Sequence, residues 1–172
     1  MAITRLGGAN AITGTIPQGN IANASLGAVT ALPAGVGGKV LQVVTATDGT
    51  ERNSTSTSFV TVSNTLSVNI TPSSSSNKVF VNVSTSTYNG TAGKSVYLTI
   101  YRDSTNLGNS NGLIRNLVSG GAAGAGSSCA ILDSPSTTSQ VTYQVYVRSD
   151  NAGTLYLNAN GKGTITAFEI EG

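Results

Sequence analysis

Residues 78–87 read KVFVNVSTST. Val79, Val81 and Val83 fall on one face of this run, and period-two alternation of that kind marks a strand with one side in a core. The same alternation recurs in both directions along the chain. It appears in 39–47 (KVLQVVTAT), 57–63 (TSFVTVS), 66–71 (LSVNIT) and 95–102 (SVYLTIYR), then in 128–133 (SCAILD), 140–148 (QVTYQVYVR), 154–158 (TLYLN) and 164–171 (TITAFEIE). Leu113, Ile114 and Leu117 suit a further short strand. Turn residues separate the runs: Pro72 to Asn77, Asp133-Ser134-Pro135, Asp150 to Gly153 and Asn160-Gly161. No helical period of useful length appears. About nine short strands at this spacing predict an all-β fold, an antiparallel β-sandwich or jelly roll over residues 39–172. The glycine-rich run Gly120 to Gly126 reads as a surface loop, since no Lys-Ser/Thr follows it and no strand-to-helix context makes it a phosphate loop.

Composition narrows the function. Only 9% of the 172 residues are charged, against a typical value of about 25%. Net charge is +2, so self-repulsion does little to keep copies apart. The nine lysines and arginines are scattered singly, which leaves no footprint for nucleic acid. No apolar run approaches the roughly 20 residues of a membrane span. A lone cysteine, Cys129, excludes an internal disulfide and reads as a buried, inert thiol.

Chemistry is scarce. The chain has no histidine, which removes the common Ser-His and Cys-His arrangements and the common zinc sites. Glu169 and Glu171 share one face of the last strand, and we read that face as solvated or at an edge rather than as a paired-carboxylate sugar cleft. Asp48-Gly49-Thr50-Glu51 reads as turn chemistry rather than a Ca²⁺ loop. Asp133 and Asp150 read as strand-ending turns of the Asx type. These residues predict no catalytic site, no cofactor and no metal. Among the six tyrosines, Tyr143 is in phase with Val141, Val145 and Val147 and belongs to the core. Tyr97, Tyr101 and Tyr146 fall on outward faces, where tyrosine serves an interface or simply fits a sheet.

Residues 1–38 differ from the rest. Their only charge is Arg5, and Ile16-Pro17-Gln18-Gly19 is echoed by Leu32-Pro33-Ala34-Gly35. Each Pro extends the residue before it and each Gly permits a sharp turn. Gly7, Gly8, Asn10 and Thr13 interrupt every run that a secretory leader would need. Ile3, Leu6, Ile12, Ile16, Ile21, Leu26 and Leu32 are spaced singly along a small, polar chain that cannot form its own core. We read this segment, with Pro17 and Pro33 shaping it, as an extended N-terminal arm that becomes ordered against a neighbouring subunit.

ITRLGGANAITGTIPQGNI followed by LPAGVGGKVLQVV resembles the start of virion structural proteins of tailed phages, especially those of cyanobacterial and marine hosts. SFVTVSNTLSVNITPSSSSNKVFVNVS, LDSPSTTSQVTYQVYVRS and the final TITAFEIEG continue the resemblance over nearly the whole chain. Such proteins are similar to β jelly-roll domains, often trimeric, that serve as capsid cement (decoration) proteins or in tail fibres. The resemblance implies a non-enzymatic structural role on the capsid exterior, with itself as a homotrimer and the phage major capsid protein as partners. A tail-fibre or receptor-binding domain, with a tail protein as partner, is the alternative. The chain is short and has no long repetitive shaft, which favours cement.

Overall fold

The computed structural model describes residues 39–117 and 123–172. The arm residues Ile3, Leu6, Ile12, Ile16, Pro17, Ile21, Leu26, Leu32 and Pro33 lie outside the described residues.

Eleven strands are present among the described residues: β1 (Val40–Asp48), β2 (Arg52–Ser54), β3 (Ser67–Ile70), β4 (Lys78–Asn89), β5 (Ser95–Arg102), β6 (Thr105–Asn106), β7 (Ile114–Leu117), β8 (Ala123–Asp133), β9 (Val141–Ser149), β10 (Leu155–Leu157) and β11 (Gly163–Ile170). They form two antiparallel sheets packed face to face. In the first, β4 is the long central strand. β8 lies along one flank of it, and β11 and β10 lie end to end along the other; β1 pairs with β11 beyond them and β2 with β10. In the second, β3 pairs with β9, β9 with β5, and β5 with β7 and β6. Counted as lanes in chain order, the first lane pairs with the last, the second with the seventh, the third with the sixth and the fourth with the fifth. That nested pairing is the winding of a jelly roll.

The alternation seen in the sequence faces the way it predicts. Val79, Val81 and Val83 are fully buried, in phase with Ile165 and Ala167 of β11 and facing Leu98, Ile100, Val145 and Val147 of the opposite sheet. A fully buried valine or leucine contributes about 1.5–3 kcal/mol, so this shared interior is the main stabilising term. Tyr143 is also fully buried, as its phase with Val141 and Val145 requires.

The interior changes character along β4. Past Val83 the inward residues are Thr85 and Thr87. Asn116 of β7 donates to Thr87 Oγ1 at 2.9 Å and to Ser127 Oγ at 2.6 Å, and Thr85 Oγ1 donates to Asn158 Oδ1 at 2.8 Å. Hydrogen bonds therefore replace methyl contacts at this end of the sandwich, and they satisfy groups whose burial would otherwise cost free energy.

Three expectations are corrected. Residues 57–63 form no strand and join the backbone ladder through one bridge, Val60 to Val147. Hydroxyls in and beside the run bond locally instead: Ser56 Oγ donates to Ser58 O at 2.7 Å, and Thr61 Oγ1 donates to Ser63 O at 3.2 Å. Such side-chain bonds compete with a ladder, so β-branched composition alone did not make a strand. The glycine-rich run is not all loop, because Gly124 and Gly126 belong to β8 and pair opposite Tyr88 and Ser86. The run before Asp133 is thus a strand of 11 residues, and β4 likewise extends to Asn89.

Candidate functional site

The fold places the carboxylates singled out in the sequence, and Asp150, read as an Asx turn, instead accepts from the Ser95 N–H at 3.0 Å. Asp48 is buried and accepts from the Ser63 hydroxyl, the Thr50 N–H at 2.9 Å and Arg52 Nε at 3.3 Å. The Thr50 bond is the expected turn; the Ser63 bond adds a tie to the loop before β3. Burial alone would raise the Asp48 carboxyl, but these donors outweigh it and hold it below its ordinary value.

Asp133 does more than end a strand. Its carboxylate takes two bonds from Arg102 Nη1, at 2.9 and 2.7 Å, and one from the Tyr143 hydroxyl at 2.6 Å. β8 belongs to one sheet, and Arg102 and Tyr143 belong to the other, so this triad clasps the two sheets at their shared end. Burial and the neighbouring Asp133 push the Tyr143 phenol above its ordinary range.

Glu169 is the clearest correction. It does not lie on a solvated strand face. It points inward in phase with Ile165 and Ala167 and is 1% exposed. Its Oε1 accepts from the Ser73 N–H at 2.6 Å, the Ser73 hydroxyl at 2.7 Å and Asn77 Nδ2 at 2.7 Å. A buried carboxylate is tolerated because the loop between β3 and β4 closes around it with three donors. Glu171 lies beyond the end of β11, and its N–H donates to Lys39 O at 2.8 Å. Among the described residues no three Asp, Glu, Cys or His side chains cluster as metal ligands.

The two outward faces differ. On the second sheet the expected interface tyrosines are brought together, Tyr97 buried and Tyr101 and Tyr146 half-buried. Tyr97 is 7% exposed, with the Arg148 guanidinium 3.8 Å above its ring centre and Arg115 at 5.7 Å. Tyr101 and Tyr146 stack with centroids 4.0 Å apart, and Phe59 meets Tyr101 edge-on at 6.4 Å. Cation–π and stacking contacts hold these rings in place.

The first sheet is bare at one end. Register places Leu132 beside Phe80, Phe80 beside Phe168, and Phe168 beside Val43. One apolar row therefore crosses four strands on the outward face. Val43 and Leu132 at its ends are 54% and 51% exposed, and the two phenylalanine rings lie 6.1 Å apart. The next row along is Ala130, Asn82, Thr166 and Thr45, and the next is Ser128, Ser84, Thr164 and Thr47. At the far end Gly124, Tyr88, Tyr156 and Asn53 stand in one row, over a cleft of about 370 Å³ that adjoins a second of about 180 Å³. Neither the apolar row nor the Tyr88–Tyr156 pair was legible beforehand, because each is assembled from distant parts of the chain by register.

No protein-family model and no curated protein matches the chain. Among solved structures, it is similar to a chain in the crystal structure of the T13 IBDV viral particle, with a TM-score of 0.34 and 16% identity. The match covers 76% of this chain and 35% of that one, so this chain spans about a third of its length.

Proposed function

We propose that this chain is a non-enzymatic structural protein of a phage particle, a capsid cement or decoration protein that self-associates as a trimer on the lattice of the major capsid protein. The observation that carries the reading is the apolar row of Leu132, Phe80, Phe168 and Val43 on the outward face of the first sheet. An exposed apolar row of this kind suits a surface that another protein covers. Completing the burial of two half-exposed and two mostly buried apolar side chains supplies roughly 2–5 kcal/mol. Association costs about 4–15 kcal/mol, so one row by itself falls short. Residues 1–38 would supply the surplus as a tether, and repetition around a symmetric shell multiplies it.

The test is immunogold electron microscopy of intact particles with an antibody to residues 39–172, paired with a Val43→Lys, Leu132→Lys variant. Gold over the heads, lost with the variant, is the expected result. Both substitutions sit on exposed positions and should change stability by no more than about 0.5 kcal/mol. Gold at the tail end would place the chain in the alternative role of a tail-fibre or receptor-binding domain. Absence of gold from particles would overturn the virion reading.

A further inference from the structure

The geometry points to a second site on the same outward face, at the end away from the apolar row: we propose that the cleft between Tyr88, Tyr156, Gly126 and Asn160 binds a neutral oligosaccharide. The cleft of about 370 Å³ and its neighbour of about 180 Å³ share Tyr88, Ala159 and Asn160. The larger falls within the range of about 300–1,000 Å³ typical of ligand sites.

Two glycines form its floor, and the fold does not require them. Gly124 and Gly126 sit within β8 with ordinary strand dihedrals. A Cβ built on Gly126 meets nothing within 4 Å, and one on Gly124 comes no closer than 3.5 Å to Thr87 O. Glycine weakens a strand, and within one it often marks close approach by a ligand. Here the side chains are missing where they would fill the cleft.

The wall is aromatic. Tyr88 and Tyr156 are half-buried cross-strand partners with ring centroids 5.4 Å apart at 60°. Tyrosine offers an apolar face for sugar C–H groups and a hydroxyl for sugar oxygens. The polar groups are unspent: among the described residues, neither tyrosine hydroxyl, nor the Asn160 amide, nor the Glu51 carboxylate makes a side-chain hydrogen bond. The turn carrying Asn160 is itself fixed, because Ser86 Oγ donates to Ala159 O at 2.7 Å and Gly161 N–H donates to Asn158 O at 3.2 Å. Asn158 anchors that turn from within through Thr85 and Thr50. A fixed turn whose unbonded amide lines the same cleft as two tyrosine rings is a preorganised site.

The lining also selects the ligand class. No lysine or arginine lines either cleft, and Glu51 is the one charge. Phosphate, sulfate and uronic or sialic acids would meet a carboxylate and no cation. A neutral sugar meets rings, hydroxyls, an amide and one acceptor. This inference does not depend on where the domain sits on a particle.

The test is NMR titration of the full chain with maltohexaose, chitotetraose and mannotetraose, with sialyllactose as the anionic comparison. At least one neutral probe should shift the resonances of Tyr88, Gly126, Tyr156 and Asn160, and sialyllactose should not. Gly126→Val fills the floor with a residue that favours strands, so it should keep the melting temperature and weaken binding about tenfold or more. Tyr156→Ala should weaken it by about tenfold. Silence from all three neutral probes, shifts centred on another surface such as Tyr101 and Tyr146, or a Gly126→Val protein that binds like the parent would each overturn the proposal.

Discussion

Replacing Glu169 with glutamine tests the fold where its sequence misleads most. Glutamine keeps the shape and one acceptor oxygen and removes the charge. Three donors converge on Glu169 Oε1 at 2.6, 2.7 and 2.7 Å. A hydrogen bond to a charged acceptor contributes about 1.5–3 kcal/mol and a neutral one about 0.5–1.5, so the three lose roughly 3 kcal/mol together. The neutral amide is easier to bury, which returns part of that. Its NH₂ group then faces the Gln42 amide, which donates to Glu169 Oε2 at 3.5 Å, and donor meets donor. A net loss of about 2 kcal/mol remains, from a total of about 5–15 for a domain. Thermal melting at neutral pH should fall by roughly 6–10 °C. The pH dependence is diagnostic. Burial alone would raise the carboxyl; the Asn77 and Ser73 donors outweigh it and hold it below its ordinary 4.5. A carboxyl lowered by folding contributes stability that is complete above its unfolded value and is lost as pH falls through its folded value. The gap between parent and variant should therefore be constant above pH 4.5 and close below it. Asp48, also lowered, leaves the variant some acid sensitivity of its own. Equal melting at neutral pH, or a gap that stays open in acid, would refute the idea that Glu169 clamps the loop as an anion.

Two further perturbations probe the backbone and the interior. Gly112 has φ of +77°, and a Cβ there would lie 2.6 Å from Leu98 O, so Gly112→Ala should cost about 2 kcal/mol or more in chemical denaturation; a cost below measurement error would show that the turn onto β5 relaxes freely. The Cys129 thiol is 8% exposed and burial pushes it up to about 12. It should resist thiol reagents in the native state and react only as fast as the domain unfolds; prompt labelling in native buffer would contradict that.

What the sequence disclosed follows the range of the interactions involved. Alternation in β4, β5 and β9 is local, so the strands, their inward faces and the core position of Tyr143 could be read directly. The false strand at 57–63 has the right composition, but composition does not reveal that Ser56 and Thr61 spend their hydroxyls on nearby carbonyls. Glu169 was misread for a different reason. Its partner Ser73 lies 96 positions away, and nothing in FEIE says that a serine loop will fold over it. The candidate surfaces are further from view still. Leu132, Phe80, Phe168 and Val43 become neighbours only through the nested pairing of the first lane with the last and the third with the sixth.

That pairing also explains how one sheet face can carry two chemistries. From Phe80 to Tyr88 along β4 is eight residues, about 26 Å at strand spacing, and the rows of Asn82, Ser84 and Ser86 lie between. The separation exceeds the range of roughly 7–10 Å over which substitutions commonly couple. The interior changes with the outside: methyl packing of Val79 and Val81 backs the apolar row, and the Thr85–Asn158 bond backs the cleft. Methyl packing is non-directional and needs no particular polar group above it, whereas directional hydrogen bonds fix the turn that carries Asn160. A domain held to a larger body by the first end keeps the second clear of it. Lysines at Val43 and Leu132 should then leave oligosaccharide binding intact, and valine at Gly126 should leave attachment intact. If either substitution abolished both, the face would be one site rather than two.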